Sequence, residues 1–253
     1  MKKVIYILLG IVLLLAGCQH GEWHFVDFTD PALAQKGMFR VVAQKTTNLQ
    51  QLVQDPNQLA LWGLNAIDTC STAPEHLPQA QRATSTTVNN VAQQLLDVRN
   101  MTTAIELSGV YESIDLEGNP IMLSGKVILP AHDTIKRYIL VSHYTIASNA
   151  EAPSNIFSLE GLLVKLGYAL IIPDYLGYGL TAHHIHPYLV MDITARNVLD
   201  MYLAVVPFME AAGCTPEHDD IYLMGYSQGG ATTMAVQHLI EHHDDENIKI
   251  RRV

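Results

Sequence analysis

The chain has 253 residues, of which 49% are hydrophobic, with 15 basic and 25 acidic residues and a formal net charge of -10. That length suits one α/β domain with a sizeable core, and the apolar content excludes a disordered chain. No Lys/Arg run offers an electrostatic footprint for nucleic acid, and an acidic surface disfavours strongly anionic substrates.

The chain opens on a leader. Lys2 and Lys3 precede an apolar run from Val4 to Leu15 that is too short to span a bilayer comfortably. The run stops at Leu15-Ala16-Gly17-Cys18, which resembles the lipobox of bacterial lipoproteins, where cleavage precedes the cysteine and its sulfur carries a diacylglycerol. The resemblance implies a signal peptide over 1–17, lipidation at Cys18, and a membrane-anchored protein of the bacterial cell envelope facing away from the cytoplasm. Export permits a disulfide between the remaining Cys70 and Cys214; two unpaired buried thiols are the alternative.

Residues 18–101 carry no catalytic motif. Loosely helical spacing over 49–67 and 86–98, interrupted by Pro31, Pro56, Pro74 and Pro78, predicts a tether and a mainly helical N-terminal extension. From Thr102 the pattern changes. Ile105 to Tyr111 alternates as a half-buried strand does, Gly118 and Asn119 supply turn chemistry, and Ile121 to Leu129 reads as a second strand, ended by Pro130. These read as an antiparallel hairpin. Strands are then predicted over 138–142, 168–172, 221–224 and from 248. Helices are predicted over 158–166, 192–212 (with Pro207 as a kink) and 231–243. Alternating β and α units imply a mostly parallel sheet with helices on both faces.

The chemistry is carried by Gly225-Tyr226-Ser227-Gln228-Gly229-Gly230, between an apolar strand and an amphipathic helix. A tight strand-to-helix turn of the G-x-S-x-G type holds its serine in a strained conformation and leaves no room for a Cβ two residues to either side. Gly225 and Gly229 meet that need, and the helix start directs the Gln228 N–H toward developing negative charge.

From about Ser108 to Arg252 the chain resembles the α/β-hydrolase superfamily, and more narrowly its secretory-lipase and esterase-like members. The elbow carries the resemblance. Val141-Ser142-His143-Tyr144-Thr145, Asp174-Tyr175-Leu176-Gly177-Tyr178-Gly179 and His186-Pro187-Tyr188-Leu189 support it. The resemblance implies that Ser227 is the nucleophile on a small-molecule ester, without cofactor or metal. The oxyanion is held by the N–H of Gln228 and that of Tyr144, with Thr145 as the alternative to Tyr144. His143 reads as a strand-end residue that orders its loop. Asp174 reads as a turn cap, because the family's acid follows the nucleophile. His183, His184 and His186 read as a polar loop at the rim rather than a metal site.

The family's acid and histidine follow two later strands, and the chain ends soon after Ser227. His238 is on the helix that Ser227 starts, roughly 16 Å along it at 1.5 Å per residue, and His242 and His243 are further still. The chain as written is therefore expected to be nearly inactive, as part of a longer reading frame or as a degenerate relative. Three functions compete: an exported ester hydrolase, an acyltransferase or peptidase on the same scaffold, and a non-catalytic surface lipoprotein. Substrate identity and oligomeric state are left open.

Overall fold

A computed structural model describes residues 26–62, 103–131, 134–242 and 248–253. The leader, Cys18, Cys70, the helix predicted over 86–98 and His243 lie outside the described residues.

The hairpin forms where the two strands and their turn are predicted. Strands β2 (Thr103–Ile114) and β3 (Pro120–Pro130) pair antiparallel in unbroken register from Ala104↔Pro130 to Ile114↔Pro120. Asp115 closes the turn by accepting the N–H groups of Glu117 and Asn119, and Gly118 takes φ +81° there. Strands β4 (Arg137–Ser142), β5 (Tyr168–Pro173), β6 (Asp220–Gly225) and β7 (Lys249–Arg252) follow where apolar runs predict them.

Within the described part of the N-terminal extension, 26–62, one strand forms that was not expected. Arg40–Asn48 is a strand, β1, antiparallel to β2 at the sheet edge. Its side chains are mostly exposed, so it carries little of the apolar alternation by which a strand is read. After it, the stretch read as one helix forms two short ones, α1 (Leu49–Leu52) and α2 (Pro56–Leu61), because Asp55 caps a new start with Pro56 at its first position.

The seven strands lie in the order β1-β2-β3-β5-β4-β6-β7. The expectation of a mostly parallel sheet is corrected to a mixed one. The β4–β5, β4–β6 and β6–β7 pairs are parallel, while β1, β2 and β3 join antiparallel. The β2–β3 pair is antiparallel because a tight hairpin joins it, since parallel neighbours need a longer crossover.

Period-2 alternation sorts the strands into two apolar layers. Val127, Leu129, Leu140, Ala169 and Ile171 face α3 (Met191–Ala211), whose Val198, Met201, Val205 and Phe208 are buried. Ile128, Ile139, Val141, Leu170 and Ile172 face the other way, onto Leu49, Phe157 and Leu162. The segment predicted as an α-helix over 158–166 is a 3-10 helix, Leu159–Leu166, ended by Gly167 at φ +83°. Pro207 lies inside α3. Cys214 is buried and disulfide-bonded, and its partner lies outside the described residues.

One feature of the hairpin is invisible to a hydropathy reading. Glu106 and Lys126 meet diagonally across β2 and β3, both buried, with Nζ 2.6 Å from Oε2. Nζ also donates to the Ile156 carbonyl at 2.7 Å, and the Thr47 hydroxyl donates to Glu106. Burial pushes the Glu106 carboxyl up, but Lys126, Thr47 and Lys45 outweigh it and hold it below the usual carboxylate range. Glu106→Gln keeps the volume but leaves the ammonium without its counter-charge. It is expected to cost about 2–3 kcal/mol of stability. Urea unfolding of the two proteins measures this, and an unchanged midpoint would show that the pair contributes nothing.

Candidate active site

Ser227 stands between β6 and helix α4 (Gln228–His242), at φ +56°, with its side chain exposed. A positive φ is uncommon outside glycine, and such strain persists only where surrounding structure imposes it. Here two close approaches impose it. A Cβ on Gly225 would overlap the backbone of Gly229. A Cβ on Gly229 would overlap the Ser142 carbonyl oxygen and come within 2.7 Å of that of His143. The second contact adds to the crowding of the elbow: Gly229 packs on the end of β4.

That contact aligns the site. Ser142 pairs with Gly225 in the β4–β6 ladder, so Tyr144 and Thr145 leave β4 at the edge where Ser227 leaves β6. From β4 the chain turns toward β5 on one side; from β6 it turns toward β7 on the other. The carboxyl ends of two neighbouring strands with diverging connections form the crevice where open α/β sheets bind ligands. The N–H groups of Gly229 and Gly230 turn back to the carbonyls of Tyr226 and Ser227. The Gln228 N–H has no such partner among the described residues. Tyr144, Tyr188 and Tyr226 are exposed.

The loop after β5 is built by the spacing of its motif. Asp174 is fully buried, its Oδ2 accepting from the Ser124 hydroxyl at 2.6 Å and its Oδ1 from the Ser154 N–H at 2.8 Å. It therefore ties three segments together rather than capping a turn. Gly179, at φ +55°, packs against that carboxylate, and Gly177, at φ +93°, packs against His186. Tyr175, at φ +68°, donates its hydroxyl to the His143 carbonyl at 3.1 Å.

His143 is buried, stacked on Tyr175 at 3.8 Å between ring centres, with Nδ1 2.7 Å from the Tyr144 carbonyl and Nε2 3.0 Å from that of Asp174. Burial holds its pKa below the usual imidazole value. Both nitrogens face carbonyls, so the ring orders the loop and is not presented to Ser227. His183 and His184 are exposed neighbours on the rim loop. His238 and His242 stack on each other along α4. Among the described residues no hydrogen bond joins a histidine to the Ser227 hydroxyl. The contact that sequence reasoning missed is between His186 and Gln228, whose Nε2 atoms lie 2.7 Å apart. These residues are 42 positions apart, and nothing in local spacing signals that they meet.

No protein-family profile matches the chain, and no curated protein sequence matches it at a significant level. Solved structures do. The rice cell wall degrading esterase LipA from Xanthomonas oryzae is similar with a TM-score of 0.54 and 25% identity, over 65% of this chain and 45% of that one. A Legionella pneumophila protein described as a candidate hydrolase gives a TM-score of 0.53 and 24% identity, over 64% and 46%. Candida antarctica lipase A in its closed state gives 0.44 and 13%, over 90% and 45%. The chain thus spans less than half the length of these structures.

Proposed function

From the α/β-hydrolase fold of this chain, we infer that it is an exported, lipid-anchored serine hydrolase that cleaves carboxylic esters through an acyl-enzyme on Ser227. The observation that carries the reading is Ser227 itself. An exposed serine is held at φ +56° between two glycines that admit no Cβ, at the switch point of the sheet. The likeness to LipA supports ester chemistry in general.

In this reading Oγ of Ser227 adds to the ester carbonyl carbon and gives its proton to a general base. The C–O bond to the alcohol breaks, and the alcohol leaves with that proton. Water then repeats the sequence on the acyl-enzyme and releases the acid. The Gln228 N–H and one from Tyr144 or Thr145 hold the oxyanion. The described residues bring no base to Ser227, so the reading is tested on the protein encoded by the complete reading frame. It should hydrolyse short p-nitrophenyl esters and take a fluorophosphonate label. A soluble, folded protein that does neither would favour the non-catalytic surface lipoprotein instead.

The anchor is a separate part of the proposal and rests on the lipobox-like run ending at Cys18. Cells expressing the protein should incorporate radioactive fatty acid into it, and Cys18→Ala should abolish the label. Label retained in Cys18→Ala would remove the anchor from the proposal.

A further inference from the structure

We propose that His186 is a positioning residue for the oxyanion hole: its imidazole clamps the Gln228 side chain, and with it the Gln228 N–H, to the loop that follows β5. The proposal rests on the reading of Ser227 as nucleophile and deepens it.

The direction of the bonds follows from donor chemistry. His186 Nδ1 lies 2.8 Å from the Leu176 carbonyl oxygen, which can only accept, so Nδ1 carries the proton. In the neutral ring Nε2 is then bare. The Gln228 amide nitrogen, 2.7 Å away, donates to it. Gln228 is buried, and its Oε1 has no partner among the described residues. The bond to His186 is therefore what orients the carboxamide there.

A clamp works only if its fixed end is rigid. The His186 backbone is pressed onto Gly177, where a Cβ would stand 2.5 Å from the His186 Cα and 2.6 Å from its nitrogen. The rings of Tyr178 and Tyr175 lie 4.8 Å and 6.1 Å from its own, and Pro187 after it is buried. The loop bearing Leu176 is in turn held by Asp174 through Ser124 and Ser154. A continuous path therefore runs from the β2–β3 hairpin through Asp174, Leu176 and His186 to the residue after Ser227. An oxyanion donor helps only while it is aimed at the developing charge, so loosening this path should be felt in the transition state more than in substrate binding.

The test uses the protein from the complete reading frame and p-nitrophenyl butyrate as probe. His186→Ala and Gln228→Met remove the same bond from opposite ends, and Gln228→Met keeps the backbone N–H. Each should lower kcat roughly tenfold to a hundredfold while KM stays within about twofold. The double variant should lose no more than either single one, because the bond is already gone. His186→Gln, which offers an acceptor near the position of Nε2, should recover most of the loss. Losses that multiply in the double variant, an unchanged kcat, or a fall traced only to KM would each overturn the clamp. If His186→Ala does not fold, Gln228→Met and the His186→Gln rescue decide alone. Ser227→Ala is assayed alongside. Activity retained there sinks the nucleophile reading, whereas a dead Ser227→Ala beside fully active His186 and Gln228 variants sinks only the clamp.

Discussion

Ser227→Ala, in the protein encoded by the complete reading frame, is expected to lower kcat/KM for a p-nitrophenyl ester by about 10⁴- to 10⁶-fold, the range seen when a serine nucleophile is removed from a working triad. The loss is chemical rather than structural. The side chain is exposed and its hydroxyl has no hydrogen-bond partner among the described residues, so losing one oxygen opens no cavity and orphans no buried group. The residue's φ of +56° is imposed by the packing of Gly225 and Gly229, which alanine does not alter. The melting temperature should stay within a few degrees of the parent. Fluorophosphonate labelling followed by gel fluorescence gives the second readout, and it should vanish with the rate. Undiminished labelling of the alanine variant would place the nucleophile elsewhere on the chain.

Gly229→Val should do the opposite and damage the fold before the chemistry. The new Cβ would occupy the space of the Ser142 carbonyl oxygen and press on that of His143 at 2.7 Å. Both are backbone atoms, and Ser142 is held in the ladder against Gly225, so neither can yield without parting β4 from β6. The branched side chain adds bulk where even one carbon does not fit. The expected loss is about 4 kcal/mol or more, at the severe end for single substitutions and tied to overpacking. Gly230→Ala is the control one residue away. Its Cβ would find its nearest neighbour, the Gly225 carbonyl oxygen, at 3.7 Å. Replacing a helical glycine there should stabilise by about 0.5–1 kcal/mol. Urea midpoints of the two variants should therefore move in opposite directions. Equal midpoints would mean that the elbow is not packed as described.

Much of this molecule is legible along the chain because its causes are local. The β2–β3 hairpin follows from an alternating run and a second strand-like run around a Gly-Asn turn. The elbow follows from the steric demand of a tight strand-to-helix turn, which only glycine meets at 225 and 229. The strand positions from 137 onward follow from apolar runs bounded by Gly, Pro and Asp.

Tertiary structure decided the rest, wherever the cause lies across the sheet rather than along it. β1 becomes an edge strand through pairing with β2, a backbone effect that leaves almost no trace in its mostly exposed side chains. The order β3-β5-β4-β6 puts Gly229 against the end of β4, a contact that spacing around Ser227 does not reveal. Asp174 looks like a turn residue in sequence, yet its two oxygens join Ser124 and Ser154 from other segments. Glu106 and Lys126 look like surface charges on a hairpin until the folded loop at Ile156 covers them. His186 looks like one of three rim histidines, and only the folding of its loop onto Gly177 brings its ring to Gln228. In each case the partner comes from a distant stretch of chain, and composition and periodicity carry no information about which distant groups will meet.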